Sequence, residues 1–420
     1  ILEENSNEYL TRMFWHPLLA YGASSGLAIQ IAQSETELRD CVAMVHGDRL
    51  PPERIQRLKD ANCKVVSWDV NDSSYFSSSY CNYPEQGLLD LIFKISGVPK
   101  QNKVNELNLD RNFQIQVSRE KYLPDPQWAE FDKIRQSGRI KPLPYVLWNQ
   151  LVPCGTSPRP WTHRSGKALI RGGNHFWRVV LAFRLMQDGL LDARSEFATA
   201  AYFSEGMERR FQYCEGCKVE KSQHGRCRID TPIRRAECTS PVTGWEIEGE
   251  FFGGPMFGRH EHGWWNNKCP HSFLHLAREF ERCRGPLDHA FLEKLFNGDM
   301  RDVSAFTEDL SQSAYAGDLK WLNTINLPPR FWEAASVGTP SLYAARTDDQ
   351  DYWPHVTAGE HYFTYHEDML DFGTRERSPE EWTRVSQAVH ALYEDTMRGT
   401  EYAISNALLE HITDSIKEIL

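Results

Sequence analysis

Between Leu27 and Val66 five short segments alternate in type. LAIQIA, CVAMVHG and CKVVSW are apolar, while ETELRD and PPERIQRLKDA are polar and helix-like. Alternation of this kind is the sequence form of βαβ units, and a βαβ crossover returns the chain to the edge it left, so the sheet it builds is parallel. Pro51 and Pro52 open the second helix and Asn62 stops it. The run LLDLIFKIS carries the pattern to about residue 97, where a first α/β domain is expected to be largely complete.

Residues 98–160 are rich in prolines (LPDPQW, KPLPYVLW, TSPRPW) and read as an irregular connection plus a partly ordered excursion. The alternation resumes at Lys167. There KALI is strand-like, and Phe176, Val179, Val180, Phe183 and Met186 recur at helical spacing, which sets a helix start at Asn174 or His175. Beyond Asp318 come LKWLNTINL, a helix RFWEAASVG closed by the left-handed residue Gly338, and the strands SLYAA and HYFTY, with His366, Glu367 and Asp368 after them. Ser378-Pro379-Glu380-Glu381 supplies an N-cap, a proline at the first helical position and a glutamate three after the cap, so a long helix follows; a second is expected from Glu401.

A chain of 420 residues exceeds what one hydrophobic core organises. Two domains are expected, at 1–155 and 156–377, the second with a turn-rich insertion near 204–270, and with terminal helices over 378–420. The formal charge of −11 argues against holding nucleic acid by neutralising phosphates. No window has the apolar length of a membrane span, and ILEENSNEYL has the features of no signal peptide. Ten cysteines spread over this length read as thiols of a reducing compartment, which points to the cytoplasm. The sequon Asn71-Asp72-Ser73 is too common a triplet to imply secretion.

The glycine corner after KALI carries the clearest chemistry. Gly172 and Gly173 let the backbone approach a ligand, a helix start exposes amides to an anion, and Arg171 and Arg178 bracket the turn with guanidinium groups suited to phosphate oxygens. The bland alternative is a tight turn with two surface arginines. A second basic corner, Arg330 behind Pro328 and Pro329, opens the helix FWEAASVG where a strand again hands over to a helix. Two such corners in one domain can grip one diphosphate.

Strand-RGG-helix-Arg, then RFWEAASVGTPSL, then HYFTYHEDM resembles the donor-binding half of GT-B glycosyltransferases, and within them the capsule-associated and protein O-glucosyltransferase family. The resemblance covers roughly residues 160–375 and is fainter over the first half. It implies two Rossmann-like α/β domains facing across a cleft, with the C-terminal helices crossing back to the first. It further implies a metal-independent hexosyl- or pentosyltransferase that needs no cofactor beyond its donor, a UDP-sugar above others, and that acts on a hydroxyl of a glycan or other acceptor.

Carried over by residue, Arg171, Gly172, Gly173, Asn174 and Arg178 form the first phosphate corner, Arg330 meets the diphosphate, and Glu333 lies near the donor ribose. Two departures stand out. Gly173 replaces the family's serine, and Ile325 replaces the acidic residue eight before Glu333, so these motifs do not choose between retention and inversion.

An inverting transfer needs a base for the acceptor hydroxyl. Strand ends in the first domain offer Asp69 and Asp72, with His46 and Asp48 close behind; the bland alternative for each is a solvated loop or turn residue. Gly22-Ala23-Ser24-Ser25-Gly26 fits the nucleophile-elbow pattern of hydrolases, but helix precedes it and strand follows, the wrong order. Cys214, Cys217, Cys227 and Cys238 can be read as zinc ligands or as residues of a hairpin, and GRHEHGWW as a metal cluster or an acceptor-facing loop; no catalytic metal is expected. The chain lacks the dinucleotide fingerprint after its first strand. From another class, a non-catalytic glycan-binding or scaffold protein that kept the fold fits the same residues.

Overall fold

The computed structural model describes residues 28–46, 50–69, 88–94, 97–100, 104–109, 115–121, 125–144, 157–173, 176–198, 285–296, 303–317, 329–343, 350–364, 377–398 and 405–420, with isolated positions at 18, 22, 214–215, 218–219, 277 and 280–281. Among them the chain is a mixed α/β protein with two four-stranded parallel sheets.

The first sheet is built from β1 (Val42–His46), β2 (Lys64–Asp69) and β3 (Leu91–Lys94), in that order, joined at its edge by a later strand. Helix α1 (Pro52–Asp60) crosses from β1 to β2, with Pro52 in its first turn and a stop at Asn62, whose φ is +58°. Residues 98–160, expected as an irregular connection plus a partly ordered excursion, hold more regular structure than that. After β4 (Val98–Pro99), the strands β5 (Val104–Leu109) and β6 (Ile115–Lys121) pair antiparallel. Helix α2 (Asp125–Gln136) then leads into β7 (Ile140–Pro142), which pairs parallel with β3. The prolines misled because Pro126 sits in the first helical turn, where the missing N–H costs nothing.

The opening of the expected pattern is also corrected. Residues 28–31 join no ladder, Ala32 makes only an isolated bridge, and ETELRD contributes a single 3-10 turn at Glu35–Glu37 capped by Ser34. Six residues with one apolar side chain, Leu38, have too little face to bury as a helix.

Both faces of the first sheet are covered, which explains the near-continuous apolar strands. Ala43, Val45, Val65, Ile92 and Ile140 pack with Ile55 and Leu58 of α1 and with Phe131 and Ile134 of α2. The alternate residues Met44, Val66, Leu91 and Phe93 pack with Leu408, Leu409 and Ile412, which lie on the last helix of the chain. The C-terminal segment therefore completes the core of the N-terminal sheet.

The second sheet begins with β8 (Ala168–Leu169) and, one residue on, β9 (Arg171–Gly173), so the strand runs through the Arg-Gly-Gly. Helix α3 (Phe176–Gln187) follows, and β10 (Glu196–Ala198) pairs parallel with β9. The short strands β11 (Cys214–Glu215) and β12 (Lys218–Val219) pair antiparallel. Helices α4 (His289–Phe296) and α5 (Val303–Gln312) precede β13 (Tyr315–Gly317), which pairs with β8 on the side away from β10. Helix α6 (Pro329–Ser336) then leads to β14 (Ser341–Tyr343). β15 (Gln350–Asp351) pairs antiparallel with β4 of the first half, and β16 (Tyr362–Thr364) completes the order β16-β14-β13-β8.

The tail forms α7 (Pro379–Thr396), whose N-cap Ser378 accepts from the Glu381 amide, and α8 (Asn406–Lys417), capped by Ser405. α7 packs on α6 through Val389, Tyr393 and Met397. α8 is the helix that covers the first sheet. There His411 stacks on Trp353 with ring centroids 4.5 Å apart and hydrogen-bonds the Pro142 carbonyl at 2.9 Å. No helix among the described residues is long and apolar enough to cross a membrane.

Candidate functional site

In the second sheet the chain leaves β9 for β10 on one side, then crosses over to build β13, β14 and β16 on the other. The order of strands therefore reverses between β8/β9 and β13. In open parallel sheets the carboxyl ends of strands at such a reversal border a crevice, because the crossover helices depart in opposite directions.

Both expected corners lie at this edge. α3 starts three residues past the end of β9, and α6, whose C-terminus leads directly into the amino end of β14, has its N-terminus at the carboxyl end of the sheet. Two helix N-termini with partial positive charge thus flank the reversal. The packing is tight there as well. A Cβ on Gly317, the last residue of β13, would lie 2.7 Å from the side-chain Cγ1 of Ile170, so any larger residue would have to displace that side chain. Gly172 has φ of +149°, a value side-chain-bearing residues rarely adopt.

The arginines differ in their surroundings. Arg171 is bound to Glu196 across the β9–β10 pair, lies 4.0 Å from Asp309 of α5, and has a side chain only 10% exposed. Its charge is compensated within the protein. Arg330, in the first turn of α6, is 22% exposed and reaches Glu333 one turn on at 3.8 Å. The two residues assigned to diphosphate and ribose are therefore neighbours on one helix face. Arg178 lies in the first turn of α3, but its side chain is outside the described residues, as is Asn174. Gly173 ends β9.

The opposite edge of the sheet is built in the reverse sense. Arg164 is buried and donates to the carbonyls of Arg159, Ser313 and Val337 at 3.0, 2.8 and 3.0 Å and to Thr339 Oγ1 at 2.6 Å, with its guanidinium 4.6 Å over Trp382. Burial, and secondarily Arg159, pushes its pKa down to about 9, which leaves it charged at neutral pH. The C-terminal ends of α5 and α6 converge on this cation, whereas N-terminal ends face the reversal. A cation of this kind, enclosed by carbonyls, is structural.

Asp192, Arg194 and Asp309 brace the β10 side. Arg194 binds both oxygens of Asp192 at 2.8 and 2.7 Å, and Ser313 and Ser165 each donate to it at 3.0 Å. Burial alone raises the Asp192 pKa, but these bonds outweigh it and hold the carboxyl at about 2.

In the first sheet Asp69 is the last residue of β2, and its Cα partner in the ladder is Lys94, the last residue of β3. Lys94 is fully buried. Motif reasoning passed over this lysine, although a lone cation in the apolar run LLDLIFKIS was a legible signal, since buried ammonium groups require compensation. The side chains of Asp69 and His46, and the whole of Asp48 and Asp72, are outside the described residues. Of the nucleophile-elbow pattern, disfavoured by its element order, Gly22 is helical and the rest lies outside them, as do LKWLNTINL, Cys217 and most of 204–270; Cys214 opens β11. No group of three or more metal-ligating side chains occurs among the described residues. Compared with known proteins, the chain matches no protein-family model and no curated protein.

Proposed function

We propose that the chain is a glycosyltransferase of GT-B architecture that moves a sugar from a nucleotide-sugar donor to a hydroxyl of a glycan or other acceptor. The observation that carries this reading is the pair of helix N-termini, with the Arg-Gly-Gly strand end and Arg330, at the reversal between β9 and β13. An anion placed there meets oriented amides and a guanidinium. Parallel sheets in both halves, and a terminal helix that returns to the first of them, support it further.

In such a transfer the bond between the anomeric carbon and the diphosphate breaks, and charge grows on the phosphate oxygens. The start of α3 and α6 and the Arg330 guanidinium are in place before that charge appears, so they stabilise it without reorganisation. Arg178 joins them in this reading. Arg171, held by Glu196, positions the strand end from which the corner departs. Glu333 orients Arg330 and faces the donor ribose. On the acceptor side, Asp69 at the carboxyl edge of the first sheet, or Asp72 just beyond it, takes the proton of the attacking hydroxyl.

The pairing of Arg171 favours a second reading, a glycan-binding or scaffold protein of the same fold with its donor site closed. A thermal-shift screen separates the two. Nucleoside diphosphates and nucleotide-sugars of uridine, guanosine and cytidine raise the melting temperature of a transferase, and one of the sugars is slowly hydrolysed. A scaffold responds to none of them.

A further inference from the structure

Cys41 and Cys63 immediately precede β1 and β2. The ladder begins Val42↔Lys64, and the Lys64 amide donates to the Cys41 carbonyl at 2.8 Å, so the two cysteines stand opposite each other at the mouth of the βαβ unit. Both are free thiols, and their sulfurs are 3.1 Å apart. Cys63 is buried among apolar neighbours such as Ile55 and Leu58; Cys41 lies at the rim of that cluster, partly exposed.

We propose that Cys41 and Cys63 are a latent disulfide, a dithiol that closes by exchange with a small-molecule disulfide and pins β1 to β2. Closure requires the sulfurs to approach by about 1 Å, to the ~2.0 Å of a covalent bond, within reach of side-chain rotation because the strands already hold the backbones side by side. The accessible Cys41 thiolate attacks the external disulfide, forming a mixed disulfide and releasing one small thiol. The Cys63 sulfur, after losing its proton, then attacks the Cys41 sulfur and expels the second. Two protein thiols are oxidised, one external disulfide is reduced to two thiols, and no other reactant is needed.

The surroundings also set the rate. Burial, reinforced by the hydrogen bond and charge of the Cys63 sulfur, pushes the Cys41 thiol up to about 12. Little thiolate exists at neutral pH, so closure is slow, and it accelerates roughly tenfold per pH unit. This is the behaviour of a stabilising crosslink, unlike that of a fast sensor.

The test treats the full chain with excess oxidised glutathione between pH 7 and 9, followed by tryptic mass mapping and thermal denaturation. The expected product links peptide 40–49 to peptide 60–64, two hydrogens lighter than their sum. It forms about ten times faster with each pH unit and raises the first thermal transition by several degrees until a dithiol is added. In Cys63→Ala the reaction stops at a glutathione adduct on Cys41 with no rise. Two free thiols after prolonged exposure, separate adducts on Cys41 and Cys63, or an equal thermal rise in Cys63→Ala would each overturn the proposal.

Discussion

Asp69 and Lys94 face one another as ladder partners at the carboxyl ends of β2 and β3, and the lysine is wholly buried. If this strand end supplies the base of a sugar transfer, Asp69→Asn should lower kcat by roughly a hundredfold or more and leave nucleotide binding near normal, since a positioned base contributes about that factor. Asp72→Asn is the paired control. Full turnover in both variants removes these two residues from the chemistry.

Arg171 and Glu196 join adjacent strands just below the glycine corner. Removing the cation leaves a largely enclosed carboxylate, so Arg171→Ala is expected to cost about 2 kcal/mol in urea denaturation, less than the figure for a fully buried pair because Glu196 is 20% exposed. Glu196→Gln keeps an acceptor and should cost less. Equal stability of wild type and Arg171→Ala would show that the pair does not brace the corner.

Arg164 gathers the carbonyl ends of α5 and α6. Arg164→Leu strands several buried acceptors and is expected to destabilise the second half by roughly 3 kcal/mol. Arg164→Lys should restore little, because a single ammonium cannot span acceptors that a planar fork reaches. Chemical denaturation read by tryptophan emission follows this loss, with Trp382 lying against the guanidinium.

Acid should destabilise the chain through two carboxylates. Glu35 is lowered from 4.5 to about 2 by hydrogen bonds from Arg54 and then Arg57, and Asp192 is lowered from 3.8 to about 2. In the unfolded chain both bind protons at higher pH than in the folded one. Their stabilisation is therefore complete above about pH 5 and drains away as pH falls from 4.5 towards 2. Arg54→Met should flatten this fall in a pH series of denaturation midpoints, and an unchanged slope would count against the pairing.

Where a segment buries its faces through its own periodicity, the sequence was readable. CVAMVHG, PPERIQRLKDA, CKVVSW, RFWEAASVG, SLYAA and the tail after Ser378 all form the elements their patterns imply. Failures came where context decided. LAIQIA has strand composition, but its described residues join no ladder, β13 is too short to show a period, and α2 hid behind a proline that helices accept at their start. The return of α8 to the first sheet entered only through the resemblance, since the stripe of Leu408, Leu409 and Ile412 predicts a buried face but not its partner. At the site, the glycine corner was legible, and the fate of Arg171 was not. Its partner Glu196 lies 25 residues away on a strand whose neighbour no local pattern reveals.

Calorimetric titration of uridine, guanosine and cytidine diphosphates into the wild type and into Arg330→Ala bears most directly on the site at the strand reversal. The account predicts that one of these ligands binds the wild type and that the variant, otherwise as stable, holds it at least tenfold more weakly, as expected for loss of one charge-assisted bond. Equal affinity in the two proteins, or no binding of any of the three, would contradict it.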